Sequence, residues 1–271
     1  GEIAAIGELV TNVAVGDRVT MGSSACGTCR ACLRGEDKAC AEHFLNFSLK
    51  GGIYGPGGFA EYKVHRSDGV FGVADAPWDK AALAEPLSCA IHAARLLGAK
   101  LGDTAVVFGS GTMGLMNLLV LKKSGLRVAV VDVNEARLEK AKKLGADLVF
   151  KSDEKIRERI KGAFLGGVDY AITAYGSDEV NQDALDVLNN RGKICLFASA
   201  HPVVPFAIDP NVMHNKETSA VGVVSADRCD HALATEMIAH NQIDLSELID
   251  ATYPISQAQE AFHRATSTPS Y

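Results

Sequence analysis

The sequence predicts an α/β fold, a doubly wound parallel sheet joined to a smaller β-rich lobe. Two textures along the chain carry that prediction. Residues 1 to 92 read as short strands and turns, whereas from residue 93 apolar runs of four to six residues alternate with amphipathic stretches of ten or more. Such alternation builds parallel strands with covering helices, because a parallel strand can only be reached by a crossover. At 271 residues, with 47% hydrophobic and 22% charged residues, the chain can bury one large core or two modest ones, which favours two domains.

The elements follow in order. Residues 2–10 alternate like a strand, residues 15–20 turn into another, and residues 57–64 form a third. Apolar runs at 104–108, 128–131, 168–174 and 193–198 supply the parallel strands, and residues 218–224 supply a further strand. The expected domains are 1–92, the β-rich lobe; 93–240, the parallel α/β domain; and 241–271, a return to the first lobe through an amphipathic helix at 256–265. The chain opens at Gly1 within strand-like alternation and stops at Tyr271 just beyond a helix, so it reads as an incomplete form.

Charge and hydropathy exclude several classes. A net charge of −6 disfavours a nucleic-acid partner. No apolar run approaches the roughly 18 residues that cross a bilayer, and no leader is visible, so no membrane partner and a reducing, cytoplasmic setting are expected.

Cys26, Cys29, Cys32 and Cys40 stand at a C-x2-C-x2-C-x7-C spacing. One short loop can turn four such thiolates toward a point, and zinc accepts four sulfurs tetrahedrally at about 2.3 Å. The alternatives are four unrelated cysteines or a disulfide cluster, and two bridges need an oxidising compartment that nothing else in the chain suggests. A closed four-thiolate zinc is structural, contributing on the order of 10 kcal/mol to its local fold. The remaining cysteines, Cys89, Cys195 and Cys229, sit in apolar or helical stretches and are expected to be small core residues.

The run at 104–108 leads into Gly109-Ser110-Gly111-Thr112-Met113-Gly114 and then a long apolar helix, which is G-x-G-x-x-G between a strand and a helix. Gly109 makes the tight turn, Gly111 lets the backbone approach a pyrophosphate, and Gly114 brings helix and sheet together. Amides at the start of the helix, from Thr112 and Met113 onward, meet the phosphate charge. The next strand ends in Asp132, eighteen residues after Gly114. Its carboxylate accepts from the adenosine ribose hydroxyls and repels a 2′-phosphate, which selects NAD over NADP. Arg137, five residues on, is either a phosphate-side cation or a helix-face residue over the adenine or in solvent.

The cysteine loop, Gly57-Gly58-Phe59-Ala60-Glu61-Tyr62, the run Ala84-Glu85-Pro86-Leu87-Ser88-Cys89-Ala90-Ile91-His92-Ala93 and the glycine turn occur in the order seen in zinc-dependent medium-chain alcohol dehydrogenases. Over essentially its whole length the chain resembles that family, and most closely its sorbitol, polyol and threonine dehydrogenase branch. The resemblance implies a GroES-like β-barrel lobe, incomplete at its amino-terminal side, and a Rossmann domain, with the active site in the cleft between them. It also implies hydride transfer from a secondary alcohol or polyol to NAD, and a homodimer or homotetramer. Glu85 falls where the family places a carboxylate or cysteine that binds the catalytic zinc or its water, which makes it the candidate catalytic and metal residue. Without a family match Glu85 reads as an acidic residue near a helix start. The family's Gly-His-Glu and a further zinc-binding cysteine would lie ahead of Gly1. The other class left open is a non-catalytic NAD-binding protein with a structural zinc. Three lesser candidates remain: His43 beside the substrate entrance or in solvent, His92 aimed at the cleft or bonded in the core, and Tyr175 in the turn that resembles the nicotinamide-ribose contact.

Overall fold

A computed structural model describes residues 1–42, 48–49, 53–54, 60–200, 202–203 and 205–267. His43, Gly57, Gly58 and Phe59 lie outside the described residues. Contacts divide the chain into two units, Gly1–His92 with Ser225–Leu245, and Ala93–Val224 with Ser246–Tyr271.

The first unit opens with β1 (Val19–Met21), followed by α1 (Arg30–Leu33), β2 (Ser48–Leu49), β3 (Ile53–Tyr54), β4 (Val70–Gly72), α2 (Trp78–Ala81) and α3 (Ala84–Leu97), which runs on into the second unit. β1 pairs antiparallel with β4, Thr20 opposite Phe71, and β2 pairs antiparallel with β3. The strand expected at residues 2–10 is reduced to one bridge, Glu2 to Arg18. Alternation there has no sheet face to cover, and Leu9 is 94% exposed. Residues 60–64 likewise form no strand, and Tyr62 and Val64 are exposed.

The second unit holds a six-stranded parallel sheet. Its elements are β5 (Thr104–Phe108), α4 (Thr112–Lys123), β6 (Arg127–Asp132), α5 (Glu135–Lys143), β7 (Leu148–Lys151), α6 (Ile156–Ala163), β8 (Val168–Thr173), α7 (Asp178–Asp186), β9 (Leu188–Leu196), α8 (Pro210–Lys216) and β10 (Ser219–Gly222). The order β10-β9-β8-β5-β6-β7 reverses direction between β5 and β8, as a doubly wound sheet requires. Strands covered on both faces need continuous apolar runs, and Val106, Val107, Ile172 and Ile194 are fully buried. Each such side chain stabilises the fold by roughly 1.5–3 kcal/mol. Helix starts are capped from the sequence: the Asn134 side chain accepts the Arg137 N–H at 3.1 Å, and Ser177 accepts from Val180 at 3.2 Å.

The chain then enters α9 (Arg228–Ala239), which packs on α2 and β4 in the first unit, and ends in α10 (Ala258–Ser267), grouped with the second. The sequence pattern set the return to the first lobe at 241–271, whereas contacts give it residues 225–245. Ion pairs from α5, Lys140 to Asp250 at 3.1 Å and Lys143 to Glu247 at 2.8 Å, hold the segment that follows in the second unit. Among the described residues no helix is long and apolar enough to cross a membrane.

Candidate functional sites

In the first unit the loop around α1 gathers the four cysteines. All four Sγ atoms lie within 4.8 Å of one another, with Cys26 to Cys32 at 3.8 Å and Cys29 to Cys32 at 3.5 Å. Four sulfurs bound tetrahedrally at about 2.3 Å stand about 3.8 Å apart, so the donor set fits zinc with little movement. The backbone prepares the site. Thr28 and Cys29 donate N–H groups to the Cys26 sulfur at 3.5 and 3.3 Å, and these bonds pull its thiol down to about 6. Burial pushes Cys32 the other way, up to about 12. None of the seven cysteines is in a disulfide.

In the second unit the glycine turn lies at the carboxyl end of β5, where the strand order reverses. Gly109 has φ +96°, a backbone that side chains strain to adopt. A Cβ on Gly114 would sit 1.9 Å from the Gly109 carbonyl oxygen, so helix and turn touch through backbone. A Cβ on Gly111 would meet nothing within 4 Å, leaving open space at the start of α4. Gly111 caps α4 without a side chain, so the first-turn amides, from Thr112 and Met113 onward, remain for an anion. Asp132 ends β6, 7% exposed, and Arg137 stands on the first turn of α5. A pyrophosphate over Gly111 and a ribose beside Asp132 fit this arrangement.

Glu85 is exposed in the first turn of α3. Its Oε1 lies 3.6 Å from the Cys89 sulfur, and burial, reinforced by the Glu85 charge, pushes that thiol up to about 12. Among the described residues Glu85 belongs to neither cluster of three or more metal-binding side chains, the four cysteines and the buried set of His92, Asp227 and Asp230. His92 is buried and its Nδ1 lies 2.7 Å from Asp230, as a core histidine. Cys195 is buried as expected, but Cys229 is exposed, because it falls on an outer position of α9. Tyr175 follows β8, 63% exposed, close to Gly109.

Three features escaped the sequence. Asp227 and Asp230 form a capping box at the start of α9, and Asp227 accepts the Lys38 N–H of the cysteine loop at 2.8 Å. Arg228 donates to Asp37 in that loop at 3.1 Å and to Asp68 at 3.0 Å. α9 therefore clamps the cysteine loop. Within the glycine turn, Ser110 bonds Asp132 through both its N–H and its hydroxyl. The first two join residues 189 and 191 apart and left no local signal, whereas a hydroxyl inside a glycine turn could have been singled out.

A thiolate loop whose donor set fits zinc in one unit and a glycine turn at the switch point of a parallel sheet in the other are the combination expected of a zinc-binding dehydrogenase. Residues 1–75 match the family described as alcohol dehydrogenase GroES-like domain, and residues 112–240 the one described as zinc-binding dehydrogenase. L-threonine 3-dehydrogenase of Coxiella burnetii is 31% identical over 267 residues, covering 97% of this chain and 76% of that protein. D-altritol 5-dehydrogenase of Agrobacterium fabrum is 30% identical over 277 residues, covering 99% and 79%. The crystal structure of benzyl alcohol dehydrogenase from Acinetobacter calcoaceticus superposes with a TM-score of 0.89 at 25% identity, covering 99% of this chain and 80% of that one. The chain belongs to the zinc-dependent medium-chain alcohol dehydrogenase family and is an oxidoreductase of that class.

Proposed function

We propose that the protein transfers hydride from a secondary alcohol or polyol to NAD. The observation that carries this reading is the glycine turn at the sheet's switch point with Asp132 at the end of the neighbouring strand. Bound NAD supplies the hydride acceptor. Gly111 and the first-turn amides of α4 hold its pyrophosphate, and Asp132 accepts from the adenosine ribose and opposes a 2′-phosphate. The Cys26, Cys29, Cys32 and Cys40 zinc keeps its lobe folded. Glu85 is the acidic group on the substrate side, where its carboxylate orients a hydroxyl or water. The names of the threonine and altritol relatives both place dehydrogenation at an internal carbon, which supports a secondary alcohol.

The test is a panel of L-threonine, D-altritol, sorbitol and simple secondary alcohols with NAD or NADP in zinc-containing buffer, followed by the near-ultraviolet absorbance of the reduced nicotinamide. Reduction of NAD in preference to NADP by at least one of these is expected, and Glu85→Ala is expected to slow it roughly tenfold to a hundredfold. NAD binding without reduction across the panel favours the alternative, a non-catalytic NAD-binding protein.

A further inference from the structure

The carboxylate on which the NAD preference rests is already engaged. Asp132 Oδ2 accepts two hydrogen bonds from Ser110, from its backbone N–H at 2.7 Å and from its hydroxyl at 2.7 Å. Asp132 Oδ1 accepts the Asn134 N–H at 2.9 Å. Both side chains are buried, Ser110 at 2% exposure and Asp132 at 7%. A carboxylate offers about four lone-pair sites, two on each oxygen. Ser110 takes both on Oδ2 and Asn134 takes one on Oδ1. One acceptor direction is left.

We propose that Ser110 is a positioning residue for cofactor selection: it clamps Oδ2 and so aims the last acceptor direction of Oδ1 at a single ribose hydroxyl. The inference rests on the reading of Asp132 given above and narrows it, since a carboxylate with one open direction takes one hydroxyl and not two. The geometry joins two tasks. Ser110 lies between Gly109 and Gly111, so the turn that cradles pyrophosphate also fixes the group that reads the ribose. Asn134 completes the clamp from the other side, and its own side chain caps α5.

Without the Ser110 hydroxyl, Asp132 keeps two backbone donors but gains an open direction on Oδ2. Its carboxyl torsion is intrinsically broad, so it can turn. NAD then meets a less ordered acceptor, whereas NADP, whose 2′-phosphate replaces the hydroxyl, loses nothing. Calorimetric titration of both cofactors into the unaltered chain, Ser110→Ala, Ser110→Thr, Asp132→Ala and the Ser110→Ala/Asp132→Ala double variant tests this, with thermal unfolding of each as a fold control. Ser110→Ala should weaken NAD by about threefold to tenfold, the range of one ordinary net hydrogen bond, because the lost bond acts on NAD only through the ordering of Asp132. NADP should stay within about twofold, Ser110→Thr should keep the original ratio, and Ser110→Ala should add nothing once Asp132 is Ala. An Asp132→Ala effect on NAD with no change of ratio in Ser110→Ala overturns the positioning role, as does equal weakening of NAD and NADP. Unchanged NAD affinity in Asp132→Ala overturns the underlying reading of Asp132 instead.

Discussion

Gly111 and Gly114 stand three positions apart in one turn, yet alanine should act on them in opposite ways. At Gly114 the added Cβ would lie 1.9 Å from the Gly109 oxygen and 2.8 Å from its carbon, where ordinary contact begins at 3.4 Å. α4 must retreat from β5 by about 1.5 Å, and the obstacle is backbone that cannot rotate aside. Overpacking of this kind costs about 1–3 kcal/mol or more, against about 1 kcal/mol gained from helix propensity. Because the obstacle is backbone the cost falls at the upper end of that range, and a net loss near 2 kcal/mol corresponds to a fall of about 6 °C in Tm for a chain of this size. At Gly111 the new Cβ meets nothing, and φ −67° with ψ −178° suits alanine, so Tm should move by less than about 2 °C. The methyl group would occupy the space that the pyrophosphate needs, and NAD affinity should fall by about tenfold or more. Thermal unfolding and calorimetry on the two variants decide it. A Gly111→Ala chain that loses as much Tm as Gly114→Ala, or that binds NAD as tightly as the unaltered chain, refutes the division of labour.

Metal analysis of the purified chain is expected to return zinc held by the Cys26 loop, with Cys32→Ser losing one equivalent and the loop's protection from hydrogen exchange; no zinc on the unaltered chain, or an unchanged zinc content in Cys32→Ser, contradicts this. His231 supplies a pH dependence. Burial, with the nearby His65 charge, holds its imidazole down at about 4, against about 6.5 when unfolded, and Thr20 bonds its Nε2 at 3.0 Å. The unfolded chain therefore binds this proton first, so the contribution is complete above pH 6.5 and is lost as pH falls toward 4, about 3 kcal/mol in all. Denaturant midpoints should drop less over that window in His231→Gln than in the unaltered chain, and parallel curves would exclude the histidine as their source.

The cysteine loop and the glycine turn were legible in the sequence because each is local. Spacing alone brings four thiols together, and a strand, three glycines and a helix in succession leave the backbone one way to turn. The parallel strands were legible for a similar reason, since burial on both faces writes continuous apolar runs. Residues 2–10 show the limit, because alternation states only that one face could be covered. Only the tertiary structure supplied the cover elsewhere and left Leu9 exposed. It also decided that Arg228 meets Asp37 and that His92 meets Asp230, pairs 191 and 138 residues apart. It also buried Ser110 and Asp132 together and joined them by two hydrogen bonds. Such pairs carry no periodicity: a charge or hydroxyl acquires its partner from the path of the whole chain, and neighbouring residues do not encode that path.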